Sequence, residues 1–222
     1  MGRRIGGAGG GSDPGPKKGA GVVVAVGAAI AVAASGGAIG GGAATSSVGS
    51  AAESALTRDL GAKKLNGTKA AQRGDIDGAW LRMGMRGLKR AARTHLECVV
   101  HSVGQVRGFL AGTPCKRLDR ILLTVGDSAG NTLVIAISWV EFRNRSATRE
   151  FLDLCDTDGT GYVTPLGGAV LAMADVELTG QHYSSRRTGT IAIIAEAEPV
   201  TGQFDDAVLD AVAEVASWLP RQ

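Results

Sequence analysis

The sequence lacks the short motifs that identify several large classes of protein. It contains no phosphate-binding loop, no zinc ribbon and no dinucleotide-binding fingerprint. Aromatic residues make up only 4% of its 222 residues, and no basic patch is combined with aromatic residues or a motif, as nucleic-acid-binding domains require. We therefore expect neither a cofactor nor a nucleic-acid partner.

Charged residues are absent from one long stretch, the 34 residues from Gly19 to Ala52. Residues 1–18 before it are Gly/Pro-rich with four Lys/Arg, and are predicted to be a disordered basic tail. Residues 20–44 would form about 37 Å of helix, enough to cross a bilayer, so we predict a membrane anchor over residues 19–44. The run has no Leu or Phe, which makes insertion marginal, and its small residues leave a cleaved signal peptide as the alternative.

The Lys/Arg bias around this stretch favours an N-terminus inside the cell. The prediction is a single-pass protein of the cell membrane with its C-terminal domain outside, or a secreted domain if the signal is cleaved. Residues 45–78 are Ser/Thr/Gly/Lys-rich and are predicted to be a flexible linker, followed by a folded domain over residues 79–222. Residues 53–107 carry 11 basic and 5 acidic side chains, whereas residues 108–222 carry 9 and 15.

Hydrophobic periodicity predicts the elements of this domain. Apolar residues recur every three or four positions from Leu81 to Leu110, which predicts one long helix of about eight turns. Runs rich in β-branched residues predict two hairpins, at residues 118–125 with 132–142 and 176–187 with 190–198, and a short strand at 163–166. Helix start and stop signals predict a short helix at 146–153 and a closing helix at 204–219. The expected fold class is α+β: an antiparallel sheet of four or five strands with helices packed on one face, preceded by the hydrophobic N-terminal helix.

The three cysteines are Cys98, Cys115 and Cys155. Cys98 falls on the predicted long helix and Cys115 just after its end, so the chain doubles back between them. A disulfide there would close a loop of about 18 residues and stabilise the fold by roughly 3 kcal/mol, in an oxidising compartment. The competing hypothesis is a metal site from His95, Cys98 and His101, but it lacks a fourth ligand and spreads the histidines around a helix.

Two loops resemble functional motifs. Asp156, Asp158 and Thr160 occupy oxygen-ligand positions of an EF-hand loop, but Gly167 stands where the bidentate Glu belongs, so a structural turn is favoured over a weak cation site. Ser128 lies in a G-x-S-x-G pattern typical of serine hydrolases. Because a strand rather than a helix is predicted after it, a hairpin loop is the favoured interpretation.

The second predicted hairpin carries a cluster of polar residues, His182, Tyr183, Arg186 and Arg187. If they face outward, they form a contact surface for a protein partner, a lipid headgroup or a glycan. The alternative is an edge strand protected by charge against pairing with other strands.

Several runs resemble a family of uncharacterised actinobacterial proteins that have an N-terminal hydrophobic segment and an extracytoplasmic domain. The runs are RMGMRGLKR, CVVHSVGQVRGFLAGTPCKRLDRILL, GNTLVIAISWVEF, GTGYVTPL, HYSSRRTG and AEAEPVTG. The resemblance covers about Trp80 to Pro220 and implies no activity. It implies that relatives share Cys98 and Cys115, which favours the disulfide, and lack the calcium-like aspartates.

The functional expectation is a non-catalytic binding or structural module at the cell envelope. Its expected partners are the membrane, through residues 20–44, and a protein or other envelope component, with a homodimer as a further possibility. A cation-dependent binding module that uses the Asp156–Gly161 loop is the second hypothesis, and a hydrolase through Ser128 is the third.

Overall fold

The structure, a computed structural model, describes residues 47–167, 171 and 176–221. The predicted basic tail and the predicted membrane segment, residues 1–18 and 19–44, lie outside the described residues. Within the described part, no helix combines the length and the apolar character needed to cross a membrane.

The described chain forms five helices and a five-stranded antiparallel sheet with the order β1-β2-β3-β5-β4. The helices are α1 (Ser47–Gln72), α2 (Ile76–Arg82), α3 (Gly104–Gly112), α4 (Arg145–Cys155) and α5 (Asp206–Ser217). The strands are β1 (Met85–His95), β2 (Arg117–Asp127), β3 (Thr132–Glu141), β4 (Tyr183–Thr188) and β5 (Ile191–Thr201). A short 3-10 turn covers Val99–His101. The predicted α+β class and the antiparallel sheet are confirmed.

Both faces of the sheet are covered, so the prediction of helices on one face is wrong. Odd-numbered residues of β2, β3 and β5, such as Ile121, Ile135 and Ile193, pack in one core with α1, α2 and α5. Even-numbered residues near one end of the sheet, such as Val140, pack with α3 and α4 in a second core around Phe151. Strands buried on both faces have nearly continuous apolar sequences rather than alternating ones, as β2 and β3 do.

Only the two ends of the predicted long helix are helical, with Leu81 in α2 and Leu110 in α3. Residues Met85–His95 form β1, an edge strand paired to β2, and α3 begins only at Gly104. Leu88 and Leu96, members of the apparent helical stripe, are 47% and 76% exposed. Over β1 the stripe is therefore mostly exposed, and hydrogen bonding to β2, rather than the helical spacing of apolar residues, decides the conformation there.

The segment predicted to be a flexible linker is largely helical. α1 runs through most of it, and Ala70 and Ala71 at its end are fully buried. Asp75 then caps α2 by accepting a hydrogen bond from the backbone N–H of Gly78 at 2.9 Å. The small side chains of Ala70 and Ala71 allow the end of α1 to pack closely in the core. Because the segment is rich in Ser, Gly and Lys, its composition predicts a linker rather than this packed helix.

Several smaller boundaries also differ from the prediction. β4 begins at Tyr183, so the residues from Val176 onward precede the strand, and the predicted strand over residues 163–166 is a single bridge between Ser102 and Val163. Asn144 caps α4 by accepting a hydrogen bond from the backbone N–H of Ala147, so this helix begins at Arg145, one residue before its predicted start.

Cys98 and Cys115 lie at disulfide-bonding distance, with their Cα atoms 6.1 Å apart. Cys98 is not on a helix but between β1 and the 3-10 turn, and it is 2% exposed. This predicted pair joins the start of the 3-10 turn to the loop after α3, while Cys155 is free.

Candidate functional site

A cavity of about 730 Å³ opens on the even-numbered face of the sheet, beside the C-terminal end of α4. We call it the groove. Two rows of paired residues form its floor, Ser138–Ile194–Ser185 and Ala136–Glu196–Tyr183, across β3, β5 and β4. Its volume lies in the range of about 300–1,000 Å³ that is usual for ligand sites.

Two irregular segments form the walls of the groove. One wall is the chain that leaves α4, with Val163 and Pro165, and the other is Leu178 to Gly180. Two glutamates of β5 hold the second wall: Glu196 accepts a hydrogen bond from the backbone N–H of Gly180, and Glu198 accepts one from the hydroxyl of Thr179. The second wall is thus fixed to the sheet by hydrogen bonds rather than by a regular element.

The groove has an acidic character. Its described lining includes three carboxylates, Asp156, Asp158 and Glu196, and no lysine, arginine or histidine. Burial raises the pKa of Glu196 above its ordinary value, and the hydrogen bond from Gly180 opposes that shift. One Glu196 oxygen binds Gly180, and the other makes no hydrogen bond to any residue that the structure describes. A positively charged group in the groove would therefore meet an available carboxylate oxygen.

Tyr183 belongs to the floor of the groove. Its hydroxyl donates a 2.9 Å hydrogen bond to Oδ1 of Asp156, which ties β4 to the end of α4. Burial, followed by the negative charge of Asp156, raises the pKa of the phenol well above its ordinary value. Tyr183 therefore stays a neutral hydrogen-bond donor.

Cys155 lines the groove but is not an activated thiol. Burial, with a smaller contribution from Asp156, raises its pKa to about 12. Nucleophilic cysteines need a lowered pKa, because the thiolate is the reactive form. The cysteine therefore contributes packing to the groove and no nucleophile.

We expect Cys155 to resist alkylation in the folded protein. With a pKa of about 12, its thiolate fraction at pH 8 is about 1,000-fold below that of an ordinary cysteine, so labelling by iodoacetamide should slow by about that factor. Mass spectrometry of labelled peptides, in buffer and in concentrated urea, measures the two rates. Equal rates in the two solvents would contradict the burial of this thiol.

The EF-hand-like loop is a structural turn. The hydroxyl of Thr160 lies 2.6 Å from the carbonyl oxygen of Leu154, to which it donates a hydrogen bond. The Thr160 carbonyl accepts a 2.6 Å hydrogen bond from the backbone N–H of Gln105, so the loop docks on the first turn of α3. Asp156 binds Tyr183, and the described residues include no group of three or more His, Cys, Asp or Glu placed to hold a metal.

Ser128 lies in the turn between β2 and β3, and the strand β3 follows it. Oδ1 of Asp127 accepts hydrogen bonds from the backbone N–H groups of Ala129 and Asn131, both at 2.9 Å, which shapes the turn. A nucleophile elbow leads into a helix instead. Ser128 therefore lies in a hairpin loop and not in a nucleophile elbow.

The predicted polar contact cluster is mostly used inside the domain. Nδ1 of His182 lies 2.9 Å from Oδ1 of Asp210 on α5. The Arg186 guanidinium stacks 3.7 Å from the ring centre of Trp218. Tyr183 is hydrogen-bonded to Asp156 at the end of α4. Of the four predicted contact residues, only Arg187 is exposed. These residues fasten β4 to its neighbouring helices.

The groove was not foreseen from the sequence, although Asp156 and Tyr183 were each singled out for other roles. The one local signal is the alternation in residues 195–198, Ala-Glu-Ala-Glu, which places two carboxylates on one face of a strand that has a buried opposite face. Comparison of the chain with models of known protein families, with curated proteins and with solved structures gives no match.

Proposed function

We propose that the domain is a non-catalytic binding module at the cell envelope and that its groove binds a lysine or arginine side chain of a partner protein. The observation that carries the proposal is the combination of three carboxylates with apolar side chains, among them Val163, Leu178 and Ile194, in one cavity. Lysine and arginine have a long apolar stem and a cationic end. Their chemistry complements a groove of this kind.

The residues of the groove suggest how such a side chain is held. The free oxygen of Glu196 accepts hydrogen bonds from the cationic end, while Ile194 and Leu178 contact the apolar stem. Because the site is partly shielded from water, the charge pair is stronger there than on an open surface. A hydrogen bond to a charged group contributes roughly 1.5–3 kcal/mol, which makes Glu196 the main source of specificity for a cation.

The lining supports binding rather than catalysis. Nucleophilic catalysis needs a nucleophile within hydrogen-bonding reach of a base. The thiol of Cys155 and the phenol of Tyr183 both have raised pKa values and remain protonated. No histidine stands among the described lining residues to activate Ser138 or Ser185.

The envelope location rests on two features of the chain. Residues 20–44 have the length and the apolar character of an anchor or signal segment. The bonding distance between Cys98 and Cys115 fits an oxidising compartment.

Replacing Glu196 with glutamine is expected to weaken binding of the blocked peptide acetyl-Leu-Lys-Leu-amide by roughly 10- to 100-fold, because the charge-assisted hydrogen bond is lost. Amide chemical-shift titration measures the affinity and locates the peptide. The control Glu150→Gln changes an exposed carboxylate on α4 that binds Ser146 and does not line the groove, so it should leave the affinity unchanged. The proposal is wrong if the same peptide with an Nε-acetylated lysine, which has no positive charge, binds the wild-type protein equally well. It is also wrong if the chemical-shift changes lie outside the groove.

A further inference from the structure

A chain of hydrogen bonds runs behind the first wall of the groove. Nε2 of His101 lies 2.9 Å from Nδ1 of His95, and Nε2 of His95 lies 2.8 Å from Nη2 of Arg120. Nη1 of Arg120 then donates a 2.6 Å hydrogen bond to the carbonyl oxygen of Thr164. Thr164 stands between two residues of the wall, so the wall is tied through Arg120 to the histidine pair.

The donor and acceptor roles in these hydrogen bonds fix which ring nitrogens of His95 and His101 carry a proton. Arginine only donates hydrogen bonds, so Nε2 of His95 must accept and its proton must sit on Nδ1. That N–H donates to Nε2 of His101, which must therefore also lack a proton. A proton added to either accepting nitrogen would place two donors opposite each other, so the chain exists only while both histidines are neutral.

The same wall is held at a second point by the backbone beside His101. The backbone N–H of Thr164 donates a 2.8 Å hydrogen bond to the carbonyl oxygen of His101. Ser102 and Val163 form an isolated antiparallel bridge next to it. Displacement of His101 would therefore disturb the wall at both points.

The positive charges around the two histidines lower their pKa values, as burial does, whereas the carboxylates Asp119 and Glu97 oppose that shift. His95 faces Arg120, Arg93 and Asp119, and burial followed by the charge of Arg120 lowers its pKa. His101 faces Arg120, His95 and Glu97, and burial followed by the charge of Arg120 lowers its pKa as well. The unfolded chain thus binds more protons than the folded one just below the ordinary histidine pKa of about 6.5. The contribution of the pair to stability is present above that pH and is lost as the pH falls.

We propose that acidification breaks the His101–His95–Arg120 chain, releases the groove wall at Thr164 and so weakens the hold of the groove on its ligand. This inference rests on the proposed binding function of the groove. Glu196 also loses charge in acid, so the histidine contribution is the difference between the wild-type protein and a variant without the pair.

The test compares the wild-type protein with the double variant His95→Gln/His101→Gln at pH 7.5 and 5.5. Glutamine at position 95 keeps an acceptor for Arg120 but does not titrate. The first measurement is hydrogen exchange of the Thr164 amide, corrected for the intrinsic effect of pH. We expect it to accelerate about tenfold or more in acid in the wild-type protein and much less in the double variant. The control His182→Gln removes the third histidine of the protein, which takes no part in these hydrogen bonds, and should keep the wild-type response.

The second measurement is the affinity for acetyl-Leu-Lys-Leu-amide, which should fall more in acid for the wild-type protein than for the double variant. If the Thr164 amide keeps its protection at pH 5.5, the pH inference is wrong whatever the peptide does. If that amide responds but the peptide binds at neither pH, the binding function fails and the link to ligand binding fails with it. Imidazole ¹⁵N shifts provide a check that needs no variant, since a dominant Nε2–H form of His95 at pH 7.5 would overturn the inference.

Discussion

Replacing Gly161 with alanine is expected to lower the free energy of unfolding by about 3 kcal/mol. Gly161 has φ +103°, a conformation that residues with a Cβ rarely adopt. An alanine Cβ there would also collide with the backbone carbonyl oxygen of Val103 and lie 2.9 Å from Cα of Gly104. Backbone atoms cannot rotate away as a flexible side chain can. The loop after α4 would therefore have to separate from the first turn of α3.

Urea unfolding followed by circular dichroism measures this effect, and Gly159→Ala is the matched control. Gly159 also has a positive φ, +77°, but a Cβ at that position would meet nothing within 4 Å. We expect the control to cost only about 1 kcal/mol, from the backbone conformation alone. Equal losses in the two variants would show that the close approach between the loop and α3 contributes nothing.

Removing the Cys98–Cys115 pair is expected to destabilise the domain by about 3 kcal/mol. The two residues are 17 positions apart, and the loop between them holds the 3-10 turn and α3. A crosslink of this length acts mainly by restricting the unfolded chain. Because Cys98 is buried, the double variant Cys98→Ala/Cys115→Ala avoids placing a hydroxyl group in the core.

Chemical unfolding of the double variant, compared with the oxidised wild-type protein, gives the loss. Cys155→Ala is the control, since this residue is a free thiol and its removal leaves the crosslink intact. Wild-type protein in a reducing agent should match the double variant. Two free thiols at positions 98 and 115 in protein recovered from its native host would contradict both the pairing and the oxidising location.

The parts of the fold that follow from local pattern were predicted from the sequence. The first hairpin has two apolar runs around a Gly/Asp/Asn turn, and the closing helix has an acidic first turn and a proline after it. β1 could not be found in this way. Its residues are mostly exposed on both faces, so they have no strand periodicity, and pairing with a partner distant in sequence decides their conformation.

The groove escaped prediction for a related reason. Its floor combines Ser138, Glu196 and Ser185, which come together only through the register of three strands. Two floor positions of β3 hold small residues, Ala136 and Ser138, and residues of this kind have no periodic signature that marks a groove. The cysteine pair, by contrast, was accessible because it needs only two residues and a reversal of the chain between them.

The positive charges of β1, an edge strand of the sheet, also affect how copies of the domain associate. β1 is 11 residues long, and one of its sides has no neighbouring strand in the described sheet. A long free edge is a template on which further chains can add as strands and grow into fibrils. Arg86, Lys89 and Arg93 are exposed along this edge, and two such edges brought together would oppose like charges at close range. The positive charge of this strand therefore protects crowded copies of the domain from aggregation, and that protection weakens as salt rises.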